Sequence, residues 1–187
     1  MADLSVIHAP CVVVGSGIAG LSAALAHGDC LVVSKTSLGE GSSRWAQGGI
    51  AAAIGDDDQP EFHAIDTQNV SAGISDESIA SMVTEAAPDR IRWLTELGAK
   101  FDTKPDTTLA LGREAGHSRR RIVHANGDAT GAEIMRTLAA ATAGRADIER
   151  LDDTIAIDLL RAGDRVVGVL AVDASGELTA IVSPAVI

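Results

Sequence analysis

The sequence has few aromatic residues: its 187 positions include two Phe, two Trp and no Tyr. Proteins that bind single-stranded nucleic acid stack the bases on aromatic side chains, and this chain offers no such platform. Its formal net charge of −11 repels a polyphosphate. The basic residues do not compensate for this charge, because they form one short run and no broad cluster. Nucleic-acid binding is therefore disfavoured.

Cysteine is also scarce, and the two that occur do not suggest a disulfide framework. Cys11 and Cys30 each open an apolar run typical of a buried strand, which indicates small core residues in a reducing compartment. Residues 1–10 lack the basic-then-apolar order of a signal peptide, and no apolar run approaches membrane-spanning length. We expect a cytoplasmic protein.

Metal-ligand patterns are missing as well. No Cys-x-x-Cys pair is present, and His8, His27 and His63 have no partner at metal-ligand spacing, so we predict no metal site. The acidic run from Asp56 to Asp58 is most simply an exposed turn.

The N-terminal sequence has the pattern of an α/β fold. An apolar strand (residues 11–14), a glycine turn (15–20), a short helix (21–27) and a second apolar strand (30–34) follow one another, which is typical of parallel strands buried on both faces. The irregular Gly/Ser-rich segment 37–58 is a long loop, and long loops within compact domains are usually functional.

Apolar periodicity predicts three helices further on. The first has Ile79, Met82, Val83 and Ala86 on a core-facing stripe. Pro88 suits the first turn of a second helix, which carries Ile91, Leu94 and Leu97 and stops at Gly98. The third is capped by Asp128, carries Ile134, Leu138 and Ala141, and is closed by Gly144.

From residue 147 onward, short strands separated by turns predict an antiparallel β-meander. Residues 183–187 read "SPAVI", like the start of another strand, and suggest an incomplete polypeptide. The fold class is therefore α/β, with a Rossmann-like parallel sheet plus the meander.

The glycine turn carries the clearest binding signal. Gly15, Gly17 and Gly20 form G-x-G-x-x-G between a strand and a helix, which indicates dinucleotide binding with the pyrophosphate at the helix N-terminus. Ser34 and Lys35 replace the usual ribose-binding carboxylate, so NAD is disfavoured. Lys35 either contacts a phosphate or is solvated, and both alternatives remain open.

Several segments together resemble the L-aspartate oxidases, members of the succinate dehydrogenase and fumarate reductase flavoprotein superfamily. They are "GSGIAGLSAALA", "SSRWAQGG", "HAIDT", "SAGISD" and "GREAGHSRRRIVHANGDATGAEI". The resemblance covers essentially all 187 residues. It implies that residues 1–187 are the N-terminal part of one FAD-binding domain, and that the capping domain and a second flavin-binding stretch would follow.

The resemblance also implies an FAD site. The turn positions hold the pyrophosphate, Lys35 lies near the adenosine, the loop 42–49 surrounds the isoalloxazine, and Ala156 presents its backbone to the adenine. The implied cofactor-binding residues are Gly15, Ser16, Gly17, Ile18, Ala19, Gly20, Lys35, Ser42, Ser43, Arg44, Trp45, Ala46, Gln47, Gly48, Gly49 and Ala156. Respiratory relatives attach flavin covalently through a His at the position of Ser42, so non-covalent FAD is expected. Trp45 is expected to contribute packing and no chemistry.

In the resembled family, the residue matching Glu114 lies by the flavin and orients the amino group of L-aspartate, so Glu114 is the candidate catalytic residue. Cationic neighbours would keep its carboxylate ionised, and Arg113, His117 and the arginines 119–121 could form a small-anion site. For Arg119, Arg120 and Arg121, a solvated turn paired with nearby acids is an equal alternative. His124 and Thr130 are interpreted as capping or core hydrogen-bonders.

The activity implied is FAD-dependent oxidation of L-aspartate to iminoaspartate, with oxygen or fumarate as acceptor, as the first step of NAD biosynthesis through quinolinate. Quinolinate synthase would then be a functional partner. Two alternatives stay open: a succinate- or fumarate-directed flavoprotein, and an inactive truncated flavin-binding fragment.

Overall fold

The computed structural model describes residues 4–187, which form two compact units. One comprises residues 4–44 and 135–187, and the other comprises residues 45–134. The helices of the described residues are Ile18–His27 (α1), Pro60–Ser71 (α2), Glu77–Glu96 (α3) and Thr130–Ala143 (α4). The strands are Ser5–His8 (β1), Val12–Val14 (β2), Cys30–Val33 (β3), Ile50–Ala51 (β4), Leu111–Gly112 (β5), Ile122–Val123 (β6), Ile148–Leu151 (β7), Thr154–Ala162 (β8), Arg165–Asp173 (β9) and Leu178–Val182 (β10).

The first unit contains the expected parallel sheet. Its order is β2-β3-β7, and both pairs are parallel. The chain end adds to this sheet, because Val12 donates its N–H to the Ala185 carbonyl (2.9 Å) and the Ile187 N–H donates to the Val12 carbonyl (2.8 Å). Cys11 and Cys30 are buried free cysteines, as their apolar surroundings predict.

The predicted meander is confirmed as the second sheet of this unit. Strands β8, β9 and β10 pair antiparallel in sequence order, and β1 joins β10 in parallel, a pairing that the sequence did not indicate. Apolar residues from both sheets meet in one core, formed by Ala9, Val12, Leu31, Val33, Val169, Ala171 and Ile181. Burial of these faces is what holds the ends of β2 and β3 in fixed positions.

The second unit has a small antiparallel sheet, in the order β4-β6-β5, together with the packed helices α2 and α3. Helix α3 begins at an N-cap, where the Asp76 carboxylate accepts the Ile79 N–H at 3.1 Å. Buried Ile122 and Val123 place β6 at the centre of this unit's apolar interior.

Two expectations about α3 are wrong. The helix runs without a break through Pro88, so Pro88 begins no new helix; burial of Ile91 and Leu94 on the same helix offsets a cost of about 3 kcal/mol for an internal proline. The predicted stripe is also misplaced, because Ile79, Met82 and Val83 are each more than half exposed. The buried face uses the smaller Ala80 and Thr84 instead.

The predicted third helix agrees better with the structure. Ile134 and Leu138 are buried, and α4 ends just before Gly144. Asp128 lies two residues before the helix, where its carboxylate accepts a hydrogen bond from the Gln47 amide at 3.3 Å.

Candidate functional site

A cleft of about 400 Å³ lies at the carboxyl ends of β2 and β3 in the first unit. Open parallel sheets characteristically bind ligands at this edge. The cleft brings together predicted cofactor-binding residues that are far apart in the sequence: Gly15, Ser16, Gly17, Lys35, Ser42, Ser43 and Ala156.

The glycine turn has the conformation that its sequence pattern requires. Gly15 has a φ of +103°, which side-chain-bearing residues rarely adopt. A Cβ atom on Gly20 would lie 1.9 Å from the Gly15 carbonyl oxygen, so only glycine allows α1 to start this close to the turn. At Gly17, a Cβ atom would lie 3.3 Å from Ser43 Oγ, at the wall of the cleft.

The N-terminus of α1 suits an anion. Gly17 is its N-cap and provides no side-chain hydrogen bond, and the first turn contains no acidic residue. The Ile18 N–H makes one long hydrogen bond, of 3.5 Å, to Ser43 Oγ. With no acidic side chain in the first turn, the helix dipole favours negative charge there. Lys35 lines the same cleft and is exposed, so these features fit the pyrophosphate of FAD.

Ser34, the residue after β3, contacts the glycine turn through its side chain. Its hydroxyl lies 2.6 Å from the Ser16 hydroxyl, and both residues are buried. Ser34 therefore ties the glycine turn to the sheet at the position where NAD-binding Rossmann folds have a ribose-binding carboxylate.

The predicted isoalloxazine loop is largely exposed. In the first unit, Arg44 forms an ion pair with Glu40 at the end of the loop that carries Ser42 and Ser43. In the second unit, Trp45 is 75% exposed and stays available to a bound ligand. Ala46 and Gln47 are fixed by hydrogen bonds to the Gly131 N–H (3.0 Å) and the Asp128 carboxylate.

Gly49 closes this loop under tight steric limits. A Cβ atom on Gly49 would lie 2.2 Å from Ile122 Cγ2 and 2.9 Å from His124 Cε1. The end of the predicted flavin loop therefore contacts the basic run, residues 113–124, at Ile122 and His124.

Within the basic run, Arg121 is completely buried. Its guanidinium donates two hydrogen bonds of 2.8 Å to the Asp58 carboxylate and one of 2.7 Å to the Asp66 carboxylate. Asp58 is therefore no part of an exposed turn, and Arg121 belongs neither to a solvated turn nor to an open anion site. Sequence periodicity could not reveal this pair, because its members are 63 residues apart.

The buried cluster continues through Asp66, which also accepts hydrogen bonds from the Ser118 N–H (2.7 Å) and hydroxyl (2.8 Å). Burial opposes ionisation of Asp66, but these bonds and Arg121 outweigh it and lower the pKa of the carboxyl group. For Arg121, burial likewise opposes its charge, yet its two carboxylate partners raise the pKa of the guanidinium.

Two histidines border this cluster. The His63 ring packs 5.4 Å from the His117 ring, and His63 Nδ1 is buried without a hydrogen-bond partner among residues 4–187. Burial, followed by the charge of Arg121, lowers the pKa of His63. Asp58, His63 and Asp66 were missed as a cluster; the one local signal was that His63 and Asp66 lie one helical turn apart on α2.

The other cations of the run face outward. Arg113 and Arg120 are exposed, and Arg119 donates to the Asp57 carbonyl (3.2 Å) while covering the Phe62 ring at 5.4 Å. For Arg119, the structure thus agrees with pairing to a nearby acidic segment. Thr130 is a buried hydrogen-bonder, since its hydroxyl accepts the Ala125 N–H at 3.1 Å.

Glu114 has one basic side chain within ion-pair range among the described residues. Its Oε1 lies 3.8 Å from His124 Nε2, and its side chain is 53% exposed. The carboxylate is therefore accessible to a ligand and is not consumed by a buried ion pair.

Residues 4–187 contain no group of three His, Cys, Asp or Glu side chains arranged to hold a metal ion. None of the helices in this part of the chain combines the length and hydropathy needed to cross a membrane.

The comparisons with known proteins agree with the geometry of the cleft. The model of the family described as FAD binding domain matches residues 11–187. The chain belongs to this family. The expected α/β fold and the FAD cofactor are thereby confirmed.

Curated relatives of this chain confirm the resemblance to the L-aspartate oxidases. Streptomyces coelicolor L-aspartate oxidase is 48% identical over 158 residues, which cover 82% of this chain and 27% of the relative. Caulobacter vibrioides L-aspartate oxidase is 45% identical over 183 residues, which cover 94% of this chain and 36% of the relative. The chain thus spans about a third of the length of the curated relatives it matches.

Solved structures show the same fold. The Sdh1 complex of Mycobacterium smegmatis has a TM-score of 0.91 at 28% identity and covers 98% of this chain, which in turn covers 34% of that protein. E. coli quinol fumarate reductase has a TM-score of 0.93 at 26% identity. The match covers 98% of this chain and 32% of that chain.

Proposed function

We propose that this chain forms the FAD-binding part of an enzyme that oxidises L-aspartate to iminoaspartate. The observation that carries the proposal is the exposed carboxylate of Glu114, in a chain that is 48% identical to an L-aspartate oxidase. Residues 1–187 are then the N-terminal part of one FAD-binding domain. A capping domain and a second flavin-binding stretch follow in the complete enzyme, in keeping with the greater length of the relatives.

Each part of the site has a separate task. The turn Gly15–Gly20 and the N-terminus of α1 bind the FAD pyrophosphate, Lys35 and Ala156 lie at the adenosine end, and residues 42–49 surround the ring system. With Ser42 in place of a histidine, FAD is held without a covalent bond. Bound FAD supplies the two-electron oxidation, while the protein orients the substrate.

Glu114 accepts hydrogen bonds from the substrate ammonium group and fixes Cα relative to the cofactor. A carboxylate suits this task, because a charge-assisted hydrogen bond is about twice as strong as a neutral one. Loss of two electrons and two protons converts the Cα–N single bond of L-aspartate to a C=N bond. Oxygen or fumarate accepts the electrons and becomes hydrogen peroxide or succinate.

The product suggests the cellular role. An imine hydrolyses in water, so an enzyme that consumes it promptly is needed, and we assign that task to quinolinate synthase in the first steps of NAD biosynthesis. The reaction takes place in the cytoplasm.

A second candidate function is oxidation of succinate or reduction of fumarate. It is supported by the likeness to quinol fumarate reductase, with a TM-score of 0.93, although the identity is only 26%. Succinate lacks an amino group, so a carboxylate at position 114 gives it no benefit.

A visible absorption spectrum of the FAD-loaded protein separates these functions. Anaerobic L-aspartate should bleach the flavin band, and succinate should leave it unchanged. Glu114→Gln should slow bleaching by L-aspartate by about tenfold or more, because it removes a charged acceptor. Bleaching by succinate alone would support the second function, and no bleaching in the full-length gene product would refute both.

A further inference from the structure

The His124 ring lies against two glycines, whose missing side chains leave room for it. His124 follows β6, the central strand of the small sheet, and Gly49 and Gly112 approach its ring. A Cβ atom would lie 2.9 Å from His124 Cε1 at Gly49 and 3.1 Å from His124 Nε2 at Gly112. Side chains at these two positions would crowd the imidazole, so the backbone around the ring limits where it can point.

The ring nitrogen Nε2 points toward one acid. It lies 3.8 Å from Glu114 Oε1, within range of an ion pair but beyond hydrogen-bonding distance. A second carboxylate, Asp102, lines the same small cleft as His124 but is occupied, because it accepts the Asn126 N–H at 2.9 Å and the Gly127 N–H at 3.1 Å. Glu114 is thus the carboxylate available to His124.

The backbone of His124 is fixed as well. Its carbonyl accepts the Asp102 N–H at 2.8 Å, and the preceding Val123 is completely buried. The ring borders a cleft of about 360 Å³ and is 27% exposed, so it is neither a buried core residue nor a freely solvated one. The His124 ring has a fixed backbone and faces the exposed, rotatable carboxylate of Glu114. It is therefore suited to orienting that carboxylate.

We infer that His124 is a positioning residue, which acts through Glu114 and rests on the proposed function. Nε2–H donates to one oxygen of Glu114, which holds the carboxylate in the orientation that accepts the substrate ammonium group. Because Gly49 ends the predicted flavin loop, the same ring ties the orientation of Glu114 to that loop. The pair His124–Glu114 therefore sets the preference for an amino dicarboxylate over a plain dicarboxylate.

The test compares Kd values for L-aspartate and succinate in the full-length gene product loaded with FAD. His124→Leu removes the donor at similar volume, whereas His124→Gln keeps an N–H near the position of Nε2. We expect His124→Leu to reduce the preference for L-aspartate by about tenfold, and His124→Gln to restore most of it. His8→Leu, at an exposed position of β1, is the control and should leave the preference unchanged.

A double-mutant cycle distinguishes positioning from general damage. In a Glu114→Gln background, His124→Leu should cause no further loss of preference. An equal loss of affinity for both acids, or a full effect of His124→Leu without Glu114, would overturn the inference.

A second readout is independent of the proposed function. The ¹⁵N resonance of His124 Nε2 should change in Glu114→Gln, because the donor loses its charged acceptor. If the wild-type protein shows no preference for L-aspartate, the proposed function fails, while this resonance still decides whether the pair exists. An unchanged resonance would refute the pair.

Discussion

Arg121 and Asp58 form a bidentate ion pair in which both side chains are completely inaccessible to solvent. Asp66 adds a third bond to the same guanidinium and links it through Ser118 to the segment that carries Glu114. Burying a charge is costly unless its partners are present, so each member of the cluster depends on the others.

Replacing Arg121 with an uncharged residue should therefore destabilise the folded protein. We expect Arg121→Met to lower the free energy of unfolding by about 3–5 kcal/mol, because two buried carboxylates lose their partner. Urea denaturation measures this change. Arg120→Met, at an exposed neighbouring position, should stay within about 0.5 kcal/mol of the wild type. A loss below about 1 kcal/mol for Arg121→Met would show that the cluster is unimportant for stability.

Acidification should destabilise the protein through His63. Its folded-state pKa lies below its ordinary value of about 6.5, since burial and Arg121 disfavour the imidazolium. The unfolded chain therefore binds more protons than the folded chain as the pH falls below about 6.5, and stability declines from there down to the folded-state pKa. Asp66 stays ionised over this range, because its pKa is lowered from 3.8.

Denaturation at pH 7.5 and 5.5 checks this expectation. Wild type should lose more stability between the two values than His63→Gln, which keeps a polar side chain but has no titrating group there. Equal losses in the two proteins would assign the pH dependence to other groups.

The glycine turn could be predicted from the sequence because its constraints are local. Gly15 and Gly20 are five residues apart, and the clash that excludes a side chain involves only these two residues. The Arg121–Asp58 pair could not be predicted, since neither residue carries a local sign of its distant partner.

The misplaced stripe of α3 has a similar cause. Periodicity identifies the larger apolar residues, but the packed face uses Ala80 and Thr84. Which face of a helix is buried depends on its neighbours in the fold, and Ile79, Met82 and Val83 stay exposed. Their arrangement in sequence therefore did not reveal their environment.

Gly20→Ala should abolish tight FAD binding. Its Cβ atom would lie 1.9 Å from the Gly15 carbonyl oxygen, and backbone atoms cannot move aside as a flexible side chain can. We expect the flavin absorbance retained after purification to fall by at least about tenfold, because misplacing the helix N-terminus weakens its contact with the pyrophosphate. Gly144→Ala, whose Cβ atom would lie 3.6 Å from its nearest neighbours, should retain FAD at the wild-type level.

The hydroxyl pair Ser16–Ser34 should support the same turn, and a double-mutant cycle can isolate its contribution. Each single change to alanine leaves the other buried hydroxyl without this 2.6 Å bond, at a cost of about 1–3 kcal/mol in unfolding free energy. The double variant leaves neither hydroxyl unpaired, so its loss should be smaller than the sum of the two single losses by about 1 kcal/mol. If the losses simply add, the two hydroxyls act independently, and the turn is held to the sheet by its backbone bond from Gly15 N to Val33 O instead.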